Sequence, residues 1–132
     1  MLGSTARFER GSRSRRDGGA DDMITGKMVR VRLKRYFVEQ RQWVLIGRVQ
    51  DSTESWLTIE GKAIVISKGH AQPIDIDQDV RVLMVPRENI AQMRILPDDF
   101  DMSVIVTEIK GARVFVKVKD APDTAIGEYG GE

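Results

Sequence analysis

From Val80 to Leu96 apolar and polar side chains take turns in the run VRVLMVPRENIAQMRIL. Val80, Val82 and Met84 alternate with Arg81, Leu83 and Val85, the period of two that marks a strand. Pro86 removes a backbone donor and fixes its own φ, so the strand must bend or stop there. Arg87, Glu88 and Asn89 make a polar corner, after which Ile90, Met93, Ile95 and Leu96 resume an apolar strand. Two strands joined by so short a corner cannot lie flat in an open meander. The change of direction suits a small barrel whose last strand closes on its first.

The upstream chain supplies the other strands. Val29, Val31 and Leu33 fall on one face, and Arg30, Arg32 and Lys34 on the other, predicting a half-buried strand with a strongly cationic outer face. Tyr36 to Val38 lead into a polar bend, Glu39 to Gln42, and a second strand returns from Trp43 to Val49. Gly47 within that apolar run marks strong bending or close backbone approach. The turn Gln50 to Ser55 is rich in short polar side chains that bond locally to the backbone. A third strand follows from Trp56 to Ile59, broken at Glu60-Gly61-Lys62 and resumed from Ala63 to Ile66. Ser67 to Asp79 reads as a long polar connection into the Val80 strand.

Past Pro97 the pattern changes once more. Val104 to Val106, a turn near Lys110-Gly111 and Val114 to Val118 predict a hairpin. The expected organisation is a disordered basic arm over residues 1–26, a barrel over 27–97, a C-terminal β-hairpin over 98–121 and a flexible tail over 122–132. The fold class is mostly β: a strongly bent five-stranded small barrel with an appended C-terminal hairpin.

Composition adds less. Charged residues are 31% of the chain, yet the formal net charge is only +1. The distribution is uneven. Residues 27–48 carry seven bases against Glu39 alone, a net of +6, and residues 97–132 carry eight acids against four bases, a net of −4. Such a basic front and acidic rear fit nucleic-acid affinity, head-to-tail self-association or simply a solvated strand face. The arm adds Arg7, Arg10, Arg13, Arg15 and Arg16, which can lie along phosphates or do nothing. The chain has no cysteine, which excludes disulfides, thiolate catalysis and Cys-based zinc sites. No apolar run reaches the length of a membrane span and no signal-peptide core leads the chain, so a soluble, cytoplasmic protein is expected.

The order of these pieces resembles the Sm-like family, which includes the Sm and LSm proteins and the bacterial Hfq group. Its first motif falls on Val29, Val31, Leu33, Lys34, Gly47, Val49 and the strand from Trp56 to Ile59. Its second falls on Val82 to Val85, the corner Pro86 to Asn89, and Ile90 to Leu96. The resemblance covers about residues 27–97. It implies a bent five-stranded SH3-like barrel and a homo-oligomeric ring, with the fourth strand of one subunit pairing with the fifth of the next. It also implies single-stranded RNA held by the turn Asp51 to Trp56 and the corner Pro86 to Asn89. The aromatic-Met-Asn pattern of Sm proteins at the first corner is replaced by Thr53-Glu54-Ser55-Trp56-Leu57. The second corner reads Arg87-Glu88-Asn89 where Sm proteins carry Arg-Gly and the Hfq group Lys-His.

The candidate RNA-binding residues are therefore Thr53, Ser55, Trp56, Arg87 and Asn89 at the corners, with Arg30, Arg32 and Lys34 as a phosphate track. Each has a plainer reading. Trp56 is equally a core or interface tryptophan, Arg87 a partner for Glu88, Asn89 a corner residue bonding its own backbone, and the three cations an ordinary outer face. His70 stands alone in a Gly-Pro loop without a partner of metal-ligand spacing. Asp75, Asp77 and Asp79 lack the glycine and downstream glutamate of a calcium loop. With no Gly-rich phosphate loop and no nucleophile near a base, no catalytic residue, metal or cofactor is expected. The sequence leaves three functional readings: an RNA-binding ring, the same barrel as a structural or protein-interaction module, and a monomeric SH3-like domain.

Overall fold

The computed structural model describes residues 23–37, 40–67 and 73–128. The basic N-terminal residues, His70 and the last four residues of the expected tail lie outside the described residues.

Among the described residues nine strands form in chain order: β1 (Met28–Leu33), β2 (Gln42–Ser52), β3 (Trp56–Ile66), β4 (Ile74–Ile76), β5 (Arg81–Pro86), β6 (Ile90–Ile95), β7 (Thr107–Lys110), β8 (Arg113–Val116) and β9 (Thr124–Glu128). All pairings are antiparallel. The larger sheet runs β4-β3-β2-β1-β6, with β5 pairing the other half of β3; β7-β8-β9 form a second sheet. Among the described residues no α-helix forms, and no helix is long and apolar enough to cross a membrane.

The corner that organised the sequence also dictates the shape. β5 sits beside β3 and β6 beside β1, so β3, β2 and β1 lie between them. In a flat sheet four spacings of about 4.8 Å would hold β5 and β6 about 19 Å apart. Only the single 3₁₀ turn Arg87–Asn89 joins them, and the chain from Pro86 to Ile90 reaches at most about 14 Å fully extended. The sheet must therefore curl until its two ends approach.

Two glycines permit the curl. Gly47 and Gly61 stand opposite each other in the β2–β3 ladder. A Cβ on Gly61 would sit 2.0 Å from the Ile46 carbonyl oxygen, and one on Gly47 would sit 2.5 Å from that of Glu60. The expected break at Glu60-Gly61-Lys62 does not occur: β3 runs unbroken for 11 residues because this glycine pair lets it bend without losing its partner. A register shift between Val49 and Asp51 then keeps Leu57 and Ile59 facing inward with Val49.

Curling gives the sheet an inner and an outer face, and each carries a buried apolar cluster. Val29, Val31, Leu45, Val49, Leu57, Ile59, Ala63 and Val85 fill the inside. On the outside Met28, Val44, Ile46, Ile64 and Ile66 pack against Val114, Val116, Val118 and Ile126 of the second sheet. At about 25 cal/mol per Å² of apolar surface removed from water, such a two-layer arrangement is what a chain of this size needs.

Two boundaries change. The C-terminal element is a three-stranded sheet rather than a hairpin. β9 lies where a flexible tail was expected, because Thr124 and Ile126 turn inward and are almost wholly covered. The turn at Lys110-Gly111 stands where expected, Gly111 taking φ +62, although Val104 to Val106 remain outside any strand. The polar connection before β5 also holds a short strand, β4. Between β4 and β5, Asp77 accepts the Ala63 N–H through Oδ2 at 3.0 Å and donates its own N–H to the Ala63 carbonyl at 3.0 Å. That aspartate serves the ladder.

Candidate functional site

The two corners singled out in the sequence meet. Thr53 closes the β2–β3 turn on itself: its N–H donates to the Trp56 carbonyl at 2.9 Å, and its Oγ1 accepts the Trp56 N–H at 3.0 Å. Trp56 and Pro86 are register partners at the end of the β3–β5 ladder. Beyond Pro86 the Arg87 N–H donates to the Ser55 carbonyl at 2.9 Å. Its guanidinium reaches further into the turn, donating through Nε to the Thr53 carbonyl at 2.7 Å and through a terminal nitrogen to Ser52 Oγ. Arg87 thus fastens one corner to the other.

A cleft of about 380 Å³ opens between them, lined by Glu54, Ser55, Trp56, Pro86, Arg87 and Glu88. Trp56, which lines it, is 44% exposed. Glu54 and Glu88 make two of the lining residues acidic, against the single cation Arg87. Asn89 lies on the far side of the corner, where its carbonyl accepts the Lys34 N–H at 2.8 Å and ties down the end of β1. Thr53, Ser55, Trp56 and Arg87 therefore share one site, with Asn89 and Lys34 at its margin.

The expected cationic track is different. Arg30 is only 4% exposed, because β9 lies across the outer face of β1. Its Nε donates to Thr124 Oγ1 at 2.9 Å and a terminal nitrogen donates to Gln92 Oε1 at 3.1 Å. Burial, followed by the like charges of Arg32 and Arg94, lowers its pKa to about 10. Arg94, the register partner of Arg30 on β6, donates to the carbonyls of Pro122 and Asp123 at 2.9 and 3.2 Å. The expected open row of three is broken at its first member: the second sheet covers Arg30, while Arg32 is half-buried and Lys34 exposed. The acidic rear of the chain seats partly on its basic front, and Arg48 adds an ion pair to Asp98 at 3.8 Å.

Arg32 instead lines a second cleft, of about 310 Å³, where β1 ends and β2 and β6 begin. Arg35, Trp43 and Gln92 join it there, none of which was singled out in the sequence. The available signal was a tryptophan placed directly after a polar bend flanked by arginines. Among the described residues no group of three or more His, Asp or Glu side chains could hold a metal ion. No family model, no curated protein and no solved structure matches this chain.

Proposed function

We propose that this chain is an Sm-like barrel that assembles with copies of itself into a ring, β5 of one subunit pairing with β6 of the next. The observation that carries this reading is a pair of unshared borders. Among the described residues β5 pairs only with β3 and β6 only with β1. The two are six residues long each, so their free backbone groups match in number. An exposed strand edge is a template for further pairing, and a closed ring removes every such edge at once. The β5 border fits an interface better than water: Val82 and Met84 are 65% and 62% exposed, Val80 just before the strand 45%, and Ile95 on β6 52%. A run of large apolar side chains left in solvent marks an interaction surface.

The proposed setting is cytoplasmic, with no cofactor and no enzymatic step. The test is Val82→Lys with Met84→Lys, which places two charges on the edge while leaving Leu83 and Val85 inside. Light scattering should show a several-fold multiple of 14.9 kDa for the native chain and a single subunit for the variant. A variant that keeps the native mass sinks the β5 edge as the contact.

A second reading adds single-stranded RNA at the corner cleft. It is favoured by Ser55, Trp56 and Arg87 lining one concavity with a half-exposed indole, a stacking platform worth about 1–3 kcal/mol per base. Against it stands Arg87, whose guanidinium already donates to the Thr53 carbonyl and Ser52 Oγ. Filter binding of a short oligoribonucleotide separates the readings. Retention that falls between about 50 and 200 mM salt and is lost in Trp56→Ala supports RNA at the corners; absence of retention at low salt leaves assembly alone.

A further inference from the structure

We infer that the second cleft, at the end of β1, is a binding site for a single nucleotide, with Arg32 and Arg35 holding the phosphate and Trp43 the base. This inference goes beyond the assembly proposed above and does not depend on it, because one chain supplies the whole site.

Three properties of the cleft lead there. The first is charge. Arg32 and Arg35 line it, and none of the described lining residues is acidic. Guanidinium pairs bind phosphate through forked, charge-assisted hydrogen bonds, which a lysine cannot reproduce. The second is an aromatic face. Trp43 is 44% exposed at the start of β2, where the barrel interior no longer needs it. A base stacked on such a ring is recognised without regard to its identity. The third is amide chemistry. Gln42 and Gln92 flank the cleft and Ile126 of β9 forms part of its wall. Gln92 spends its oxygen on Arg30, and its amide N–H groups have no hydrogen-bond partner among the described residues. They remain as donors for a base edge or a sugar hydroxyl.

Size decides between one nucleotide and a longer ligand. At about 310 Å³ the cleft sits at the small end of the range of roughly 300–1,000 Å³ for ligand pockets. That volume suits one nucleotide and excludes a dinucleotide held whole.

The surroundings supply a reason for an anion to bind. Arg30 feels the charges of both Arg32 and Arg94, and its two described partners are neutral. Burial and these like charges hold the Arg30 guanidinium well below its ordinary pKa. A phosphate seated against Arg32 and Arg35 offsets that repulsion, so ligand binding and fold stability rise together.

The cleft chemistry is shared by a free nucleotide and by a nucleotide unit of a single strand, and the experiment separates the two. Calorimetric titration of the full chain at low salt uses AMP, UMP, hexa-adenylate, inorganic phosphate and the dipeptide aspartyl-glutamate as probes. Saturable binding of AMP or UMP, one per chain, identifies a free-nucleotide site; binding of hexa-adenylate alone identifies a strand-borne one. In either case Trp43→Ala and Arg35→Ala each weaken binding about tenfold, and Arg35→Lys restores it only in part. Both side chains are exposed, and circular dichroism verifies that the variants remain folded. The Val82→Lys, Met84→Lys variant binds as the native chain does, which separates this site from assembly. The inference is overturned if no nucleotide probe binds, if neither substitution weakens binding, or if inorganic phosphate or the acidic dipeptide binds as tightly as the nucleotide.

Discussion

Replacing Gly61 by alanine tests whether the curl rests on the glycine pair. The new Cβ would lie 2.0 Å from the Ile46 carbonyl oxygen, 2.5 Å from the Gly47 Cα and 2.8 Å from the Ile46 carbonyl carbon. All three are backbone atoms of β2, so no side chain can swing aside. Relief requires moving the strand by more than 1 Å, since ordinary contact begins near 3.4 Å. Such a shift would prise open the ladder between β2 and β3 at its tightest point. Overpacking typically costs about 1–3 kcal/mol, and a backbone-to-backbone clash belongs at or above the top of that range. Gly26→Ala is the matched control. Gly26 has φ +86 with nothing within 4 Å of its would-be Cβ, so only conformational strain of about 1–2 kcal/mol is expected. Urea denaturation followed by circular dichroism should place Gly61→Ala at least about 1 kcal/mol below Gly26→Ala, or show it unfolded in water. If the two variants lose the same stability, strands β2 and β3 do not cross as closely as described and the account of the bend is wrong.

Three further outcomes follow from contacts elsewhere. Thr124→Val keeps the shape of a side chain only 1% exposed but removes the acceptor of the Arg30 Nε–H; leaving a buried charged donor unpaired should cost about 1.5–3 kcal/mol in the urea midpoint. A neutral result would mean that β9 does not seat on β1. Arg87→Ala removes two side-chain hydrogen bonds to the β2–β3 turn at a cost of about 1 kcal/mol, and Arg87→Lys does not restore it because one ammonium cannot reproduce the fork; an unchanged midpoint would show that Thr53 holds the turn unaided. Acid should weaken the fold: the Val118 N–H, then Lys117, hold the Asp123 carboxyl below its ordinary range, and the Ser103 hydroxyl and N–H do the same for Asp101. Folded pKa values below the unfolded ones mean stability that is complete above the ordinary carboxylate pKa of about 3.9 and is lost as pH falls below it. Urea midpoints should therefore hold from pH 7 to pH 5 and drop below pH 4, less steeply in Asp123→Asn; identical acid limbs would remove Asp123 from the explanation.

Much of this fold was legible because local rules and the tertiary outcome agree. Pro86 and the alternation around it announced the β5–β6 corner, and Gly47 announced the bend. The turn chemistry of Gln50 to Ser55 announced the β2–β3 connection, although β2 itself runs on to Ser52 before the chain turns. What escaped depended on partners distant in the chain. Arg30 alternates outward as read, but nothing near it reveals that Thr124, 94 residues away, will lie over it. The hint was in β2, where Val44 and Ile46 on one face and Leu45 and Val49 on the other are all buried. Such a continuous apolar run signals a strand covered on both sides. β9 was missed because two inward side chains in a glycine- and acid-rich segment carry too short a period to stand out. Of the candidate site, the corner residues were visible through their turn chemistry. The second cleft was not, since Arg32, Trp43 and Gln92 come from three strands that only the curled sheet brings together.

The claim on which the functional account rests is that β5 and β6 are joined between copies. Native mass spectrometry of the full chain, repeated across a hundredfold dilution, tests it most directly. The account predicts one dominant species at a fixed whole-number multiple of 14.9 kDa, unchanged by dilution, as ring closure requires. A lone subunit at every concentration, or a ladder of masses that grows without limit, would contradict it.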